Sequence, residues 1–257
     1  MEKKVFAPSA RLAPFVRAFE VVEAHEELTH MLLPEAGVIV GFRYRGFSML
    51  FEGTEALRVP DRVITGLRAT VRRMYTSAGG GIVLAKFHEA GAALFFDVPL
   101  HELFGATVAL DDLVPHAELE RAASRMAGAK EHAERIALFE EFLLARCKRR
   151  TPDPLVTAAA RAILAERGSV RIGELARDLH LSQDALEKRF RREVGASPKQ
   201  FASIVRLRQA IDLYRSDVSL SRLSLEAGYY DQSHFIREFR AVTGDAPRRF
   251  LGAAEFC

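Results

Sequence analysis

Phe190-Arg191-Arg192-Glu193-Val194-Gly195-Ala196-Ser197-Pro198-Lys199-Gln200-Phe201 decides the fold of the C-terminal part of this 257-residue chain, because it occurs twice. Phe239-Arg240-Ala241-Val242-Thr243-Gly244-Asp245-Ala246-Pro247-Arg248-Arg249-Phe250 repeats its skeleton at an offset of 49: Phe-Arg, three residues, Gly, one residue, a small residue, Pro, two residues, Phe. Leu186 and Phe235 share that offset, whereas Leu175 and Leu179 match Leu223 and Ala227 at an offset of 48. One residue has therefore been added in the turn between. Self-similarity at this many structured positions marks an internal repeat.

Each copy reads as a helix-turn-helix. In the first, Ile172–Leu179 is an apolar-faced helix and His180-Leu181 a tight turn. Ser182 is the N-cap, its hydroxyl free to accept a helix-terminal amide. Leu186 and Phe190, four apart, face a core. Gly195 ends the helix as a left-handed cap. In the second copy Leu220–Ala227 is the support helix, Gly228 the turn, Asp231 the N-cap and Gly244 the C-cap. Phe190, Phe201, Phe239 and Phe250 are core by their spacing, not stacking platforms. Gln200–Tyr214 has helical periodicity and joins the units. Two recognition helices on a rigid linker suit two short major-groove segments about 10 bp apart.

Thr151-Pro152-Asp153-Pro154 is the clearest break, since a proline disfavours helix at the residue before it. It divides the chain into 1–150 and 151–257. Residues 155–257 carry 17 basic and 13 acidic side chains against 20 and 21 before them, and 15 of the 17 are arginines. The planar guanidinium suits phosphate and guanine.

The front part reads as short strands: Gly37–Tyr44, Phe47–Phe51, Val63–Thr65, Thr70–Tyr75 and Gly81–His88 are rich in Val, Ile, Phe and Tyr and separated by Gly, Pro and Asp. Helices are expected at Pro99–Phe104, Glu118–Met126 and Glu131–Arg150. The fold class is α+β: a small N-terminal β-barrel or sandwich with helices, then an all-α domain of two helix-turn-helix units joined by a linking helix. Gly79-Gly80-Gly81 lacks the Lys and Ser/Thr of a phosphate loop and precedes a strand, so it reads as a turn. Asp111-Asp112 and Glu140-Glu141 read as a surface turn and a solvated helix face.

No window approaches the length of an apolar membrane span, and the N-terminus lacks a signal-peptide pattern. Two cysteines, Cys147 and Cys257, fit a reduced cytoplasm and exclude a disulfide framework. The front histidines His25, His30, His88, His101, His116 and His132 form no tight pair, and a catalytic metal needs three convergent ligands. No catalytic residue, metal or cofactor is therefore expected.

The segment from about Pro154 to Leu251 resembles the DNA-binding domain of the AraC/XylS transcription regulators. The resemblance lies in ELARDLHLSQDALEKRFRREVGASPKQF, the linker RLRQAIDLY, and LEAGYYDQSHFIREFRAVTGDAPRRF. The front part is similar to the barrel-like sensor domains of such regulators at Leu32–Gly37 and Gly91–Phe95. The resemblance implies base contacts from Asp184, Glu187 and Lys188 on the first recognition helix and from Gln232, Ser233, His234 and Arg237 on the second. Gln183, Arg191, Arg192 and Arg240 are expected on phosphates, which position without specifying. Asp184 and Glu187 repel phosphate, so the second helix is expected to read the sequence more sharply.

The implied protein is a sequence-specific transcription regulator of the cytoplasm, controlled by a small molecule in the front domain, whose binding residues the sequence does not identify. Its partner is double-stranded DNA at two adjacent major-groove segments. RNA polymerase and a second copy of the chain remain open as partners; a membrane is not expected. Two alternatives stay open: a metal-dependent barrel enzyme fused to a DNA-targeting domain, and an architectural DNA binder with an inactive sensor.

Overall fold

The computed structural model describes residues 1–148, 151–214 and 218–253. The last two residues of the expected helix 131–150, and Cys257, lie outside them.

The front part is a sandwich of two antiparallel sheets. Its strands are β1 Glu2–Phe6, β2 Val16–Ala24, β3 Leu28–Leu32, β4 Ile39–Arg45, β5 Ser48–Glu52, β6 Glu55–Arg58, β7 Arg62–Thr65, β8 Arg72–Thr76, β9 Gly80–Phe87 and β10 Thr107–Ala109. One sheet runs β1-β2-β9-β4-β7-β10 and the other β3-β8-β5-β6. Neither closes on itself, so the architecture is the sandwich rather than the barrel. Helices α1 His116–Gly128 and α2 His132–Arg146 cover the outer face of the larger sheet. Their contact is aromatic: Phe42 meets Phe139 and Phe142 edge-on, with ring centroids 5.1 and 5.2 Å apart. Strand alternation then sends Ile39, Gly41 and Arg43 inward, toward the smaller sheet. The segment expected as a helix at Pro99–Phe104 is one 3₁₀ turn, Leu100–Leu103.

The C-terminal part is all helix: α3 Pro154–Ala165, α4 Ile172–Asp178, α5 Gln183–Val194, α6 Pro198–Leu213, α7 Leu220–Glu226, α8 Gln232–Thr243 and α9 Pro247–Ala253. Local chemistry sets the boundaries. The Asp153 carboxylate accepts from the Leu155 amide at 2.9 Å, and Pro154 occupies the first turn, where a missing N–H costs nothing. Ser197 and Gln200 form a reciprocal capping box at the head of α6.

The two lobes are buried differently. The first, α3 to α5, shares one apolar cluster with the sandwich, running from Phe19, Phe42 and Leu100 through Phe139 to Leu186 and Phe190. The second forms its own cluster from Leu207, Leu223, Tyr229, Phe235, Phe239 and Phe250, to which the front part adds Leu33. Among the described residues, no helix is long and apolar enough to cross a membrane.

Candidate nucleic-acid interface

The repeat in the sequence is a repeat in space. Support helices α4 and α7 begin 48 residues apart, whereas α5 and α8 begin 49 apart. Ser182 caps α5 by accepting from the Ala185 amide at 3.1 Å, and Asp231 caps α8 by accepting from the His234 amide at 2.7 Å. Gly195 and Gly244 close the two helices at φ +101° and +79°. Between support and recognition helices, the Leu181 amide donates to the Ala176 carbonyl and the Tyr229 amide to the Ser224 carbonyl, both at 2.9 Å. Leu181 therefore matches Tyr229, and the added residue is Tyr230. Its side chain is 89% exposed at the head of α8.

The structure places the residues implied as contacts on two recognition helices. Asp184 and Lys188 are exposed on α5, and Ser233, Arg237 and Arg240 on α8. Lys188, Arg237 and Arg240 carry no ion pair among the described residues. Glu187 is not a bare acid: Arg191 Nε donates to it at 2.9 Å. Gln232 accepts from the Ser221 hydroxyl through its Oε1. His234 lies edge-on to the Tyr229 ring, 5.6 Å between centroids, and 3.8 Å from the Glu238 carboxylate. Gln183 is exposed in the first turn of α5. Arg192 lines a groove against Phe96, Val98 and Pro99 of the front part.

The sequence singles out His30 only as one of six scattered histidines and does not reveal the cavity between the two sheets that it lines. This cavity of about 290 Å³ is walled by Val22, Ile39, Val63, Met74, Ile82 and Leu84. Strand pairing brings its polar residues together from distant positions: Glu20 opposite Leu84 on β2 and β9, and His30 opposite Met74 on β3 and β8. At one end Glu35 lies 3.2 Å from Arg17 and 3.8 Å from Lys86, while Lys86 lies 3.1 Å from Glu20. Burial pushes the Glu35 carboxyl up, but Lys86, Arg17, Arg208 and Arg68 outweigh it and hold it below its ordinary value. Burial draws the Arg68 guanidinium down to about 10 against the pull of Glu35. Burial also lowers the His30 imidazole, which favours its neutral form.

Three polar atoms in this lining are buried without a hydrogen-bond partner: His30 Nδ1, Arg43 Nε and Arg68 Nε. Asp61 approaches Arg43 only to 3.8 Å, beyond hydrogen-bond reach. A buried polar atom without a partner costs about 1–3 kcal/mol. Arg208, on α6, completes the lining, so the cavity touches the helix that joins the two lobes.

The remaining front histidines lie apart. His25 meets Glu2 at 3.3 Å, His116 meets Asp111 at 2.9 Å, and His132 lies 3.6 Å from Glu23. Among the described residues no three His, Cys, Asp or Glu side chains converge on one point.

Two family models match the chain. A helix-turn-helix domain matches residues 175–253, and a domain of unknown function matches residues 4–109. The Msm operon regulatory protein of Streptococcus mutans serotype c is 28% identical over 118 residues, 44% of this chain. That match spans 42% of the relative's own length. Among solved structures, ToxT from Vibrio cholerae aligns over 92% of this chain and 98% of its own, with a TM-score of 0.51 at 10% identity. At that identity the likeness shows a common fold: a sheet-rich front part followed by the helical domain.

Proposed function

We propose that this chain is a transcription regulator of the AraC/XylS type that reads two adjacent major-groove segments of DNA under the control of a small molecule held between its two sheets. One observation carries the DNA reading. Two capped recognition helices, equivalent residue for residue, present exposed polar faces from a single linking helix. Base contact is assigned to Asp184, Glu187 and Lys188 on α5 and to Gln232, Ser233, His234 and Arg237 on α8. Phosphate contact is assigned to Gln183, Arg191, Arg192 and Arg240. The pairing of Glu187 with Arg191 blunts the cation on α5. The free Arg237 on α8 suits the two acceptors of guanine. Selection of duplexes from a random pool, followed by salt titration, tests this. Two conserved half-sites about one helical turn apart support the reading, and binding without sequence preference overturns it.

The effector reading rests on the cavity and its unpartnered atoms at His30, Arg43 and Arg68. A molecule with an apolar body and hydrogen-bonding groups would satisfy them and still fill the Val, Ile and Leu wall. Such a ligand bears on DNA binding only if it favours one posture of the second lobe over another. Arg208 and Leu33 supply the connection, since one lines the cavity from α6 and the other belongs to both the cavity wall and the second lobe's cluster. Thermal shift against a metabolite panel tests it: a ligand at 100 times its Kd adds about 2.7 kcal/mol. A shift that survives His30→Leu with Arg43→Leu places the ligand elsewhere. RNA polymerase and a second copy of the chain are further proposed partners, tested by transcription in vitro and by sedimentation.

A further inference from the structure

Arg206 sits on α6 where the two lobes meet, and its fork is divided between them. Nη1 donates to the carbonyl of Gly168, in the turn between α3 and α4, at 2.7 Å. Nη2 donates to the Glu238 carboxylate on α8 at 3.2 and 3.4 Å. The guanidinium carbon lies 5.6 Å from the Tyr229 ring centre, over the turn that leads into α8. The Arg206 side chain is 16% exposed and Glu238 29%, so solvent screens this joint weakly.

The backbone is cut to fit. Gly168 has φ +79°, and a Cβ there would lie 2.3 Å from the Ala202 carbonyl oxygen and 2.8 Å from Arg206 Cγ. Gly228 has φ +81°, and a Cβ there would lie 2.1 Å from Ser169 Oγ. A turn of each lobe thus closes against the other, with the stem of Arg206 alongside. The Glu238 carboxylate accepts from Arg206. It is turned back on α6, although it shares a helix with Arg237.

We infer that Arg206 is a positioning residue that fixes the distance and angle between the two recognition helices, and so sets the spacing of half-sites the protein accepts. Its hydrogen bonds go to Gly168 and Glu238 and its guanidinium lies over Tyr229, none of them a residue assigned to DNA contact. A rigid joint gives two linked modules a high effective concentration at one spacing only; a loose joint lowers that maximum and flattens the profile. Arginine suits the task because its planar fork donates in two directions at once. The inference rests on the DNA-binding reading for its consequence, but the rigidity itself can be measured without DNA.

Nitroxide labels at Lys188→Cys and Arg237→Cys, in a Cys147→Ser/Cys257→Ser background, report the distance between α5 and α8 by pulsed electron resonance. Arg206→Met keeps the stem over Tyr229 and removes both hydrogen bonds. It is expected to widen the distance distribution about twofold, as two packed bodies rock on a shared helix. On duplexes with one or two base pairs inserted between selected half-sites, the wild type should lose about 100-fold in affinity and Arg206→Met about tenfold or less. An unchanged distribution together with an unchanged spacing profile overturns the inference. Failure of the wild type to select any site would instead overturn the DNA reading, leaving the distance measurement intact. If Arg206→Met does not fold, Glu238→Gln, which keeps the shape and removes the charge, takes its place under the same two outcomes.

Discussion

The backbone N–H of Val71, just before strand β8, donates to the carbonyl of Val242 in the last turn of α8 at 3.1 Å. The sandwich therefore holds the end of a recognition helix directly. Leu33 reinforces the contact from β3's side, buried at 7% exposure within the second lobe's cluster.

Leu33→Ala is expected to cost about 2–5 kcal/mol, the range for emptying a buried leucine site. The loss should not be spread evenly. Amides of α7 and α8 should exchange faster with deuterium, while those of α3 and α5, tied to the larger cluster, keep their protection. Equal loss in both lobes would mean that the second lobe does not depend on this contact.

Protonation of His30 gives a pH dependence of definite sign. Burial lowers its folded pKa below the ordinary 6.5, so below that pH the unfolded chain takes up a proton the folded chain refuses. Stability is then full above pH 6.5 and falls as pH drops through it, by at most about 1.4 kcal/mol per pH unit for one proton. His30→Gln should flatten chemical-denaturation stability just below pH 6.5. The acid loss below the ordinary carboxylate value of 4.5 should remain, because, despite burial, the Tyr44 hydroxyl with His132 and Arg45 holds Glu23 low, and Lys86 with its neighbouring arginines holds Glu35 low.

Arg237→Ala should cost about 1–3 kcal/mol on a selected site and relax preference at one base pair. Arg191→Ala should weaken all sequences alike and lower the salt slope by about 0.9. Arg191 also neutralises Glu187, so changing both residues should restore part of the affinity lost on changing Arg191 alone. A uniform loss from Arg237→Ala would reassign that residue to phosphate.

Gly228→Ala meets two obstacles, a left-handed φ of +81° and the Ser169 hydroxyl. The backbone term alone is about 1–2 kcal/mol. Ser169→Gly in the same chain should recover the steric part and leave the backbone part, as read from Tm. The matching turn of the first lobe carries His180 at φ +55°, so the geometry itself is not reserved for glycine; the close approach to Ser169 is what makes Gly228 hard to replace.

The C-terminal helices were legible because their signals are local: Ser182, Asp231, Gly195 and Gly244 mark ends within one turn of the residues they cap. The front part was legible only where a strand is apolar enough to announce itself, as in Gly80–Phe87. Strand β6 is exposed along its whole length and β1 along nearly all of it, so neither shows alternation. In β2 the inward positions hold Glu20 beside Val22, because they line a cavity instead of a core. His30, Arg43, Arg68 and Arg208 were invisible as a group for the same reason. Only strand register and the placing of α6 bring them together. Arg206 is one of 15 arginines in its half, and nothing in its neighbourhood sets it apart until the lobes are folded against each other.

The unequal burial of the two lobes bears on how such a protein can be recombined. Gly195 lies so close to the 3₁₀ turn that a Cβ there would reach within 3.0 Å of the Leu100 carbonyl, and α5 shares its cluster with the sandwich. A foreign sensor grafted at the prolines near residue 151 would strip that side of α5 of its cover and present Leu186's neighbourhood to water. A graft that keeps the Leu100–Leu103 turn of the original front part should express as a soluble chimera, while one that omits it should aggregate. The second lobe carries most of its own interior and meets the rest of the chain at a few seams, among them Leu33, Val71 and Arg206, so a replacement that keeps those seams acquires new specificity more readily there than in its sister copy.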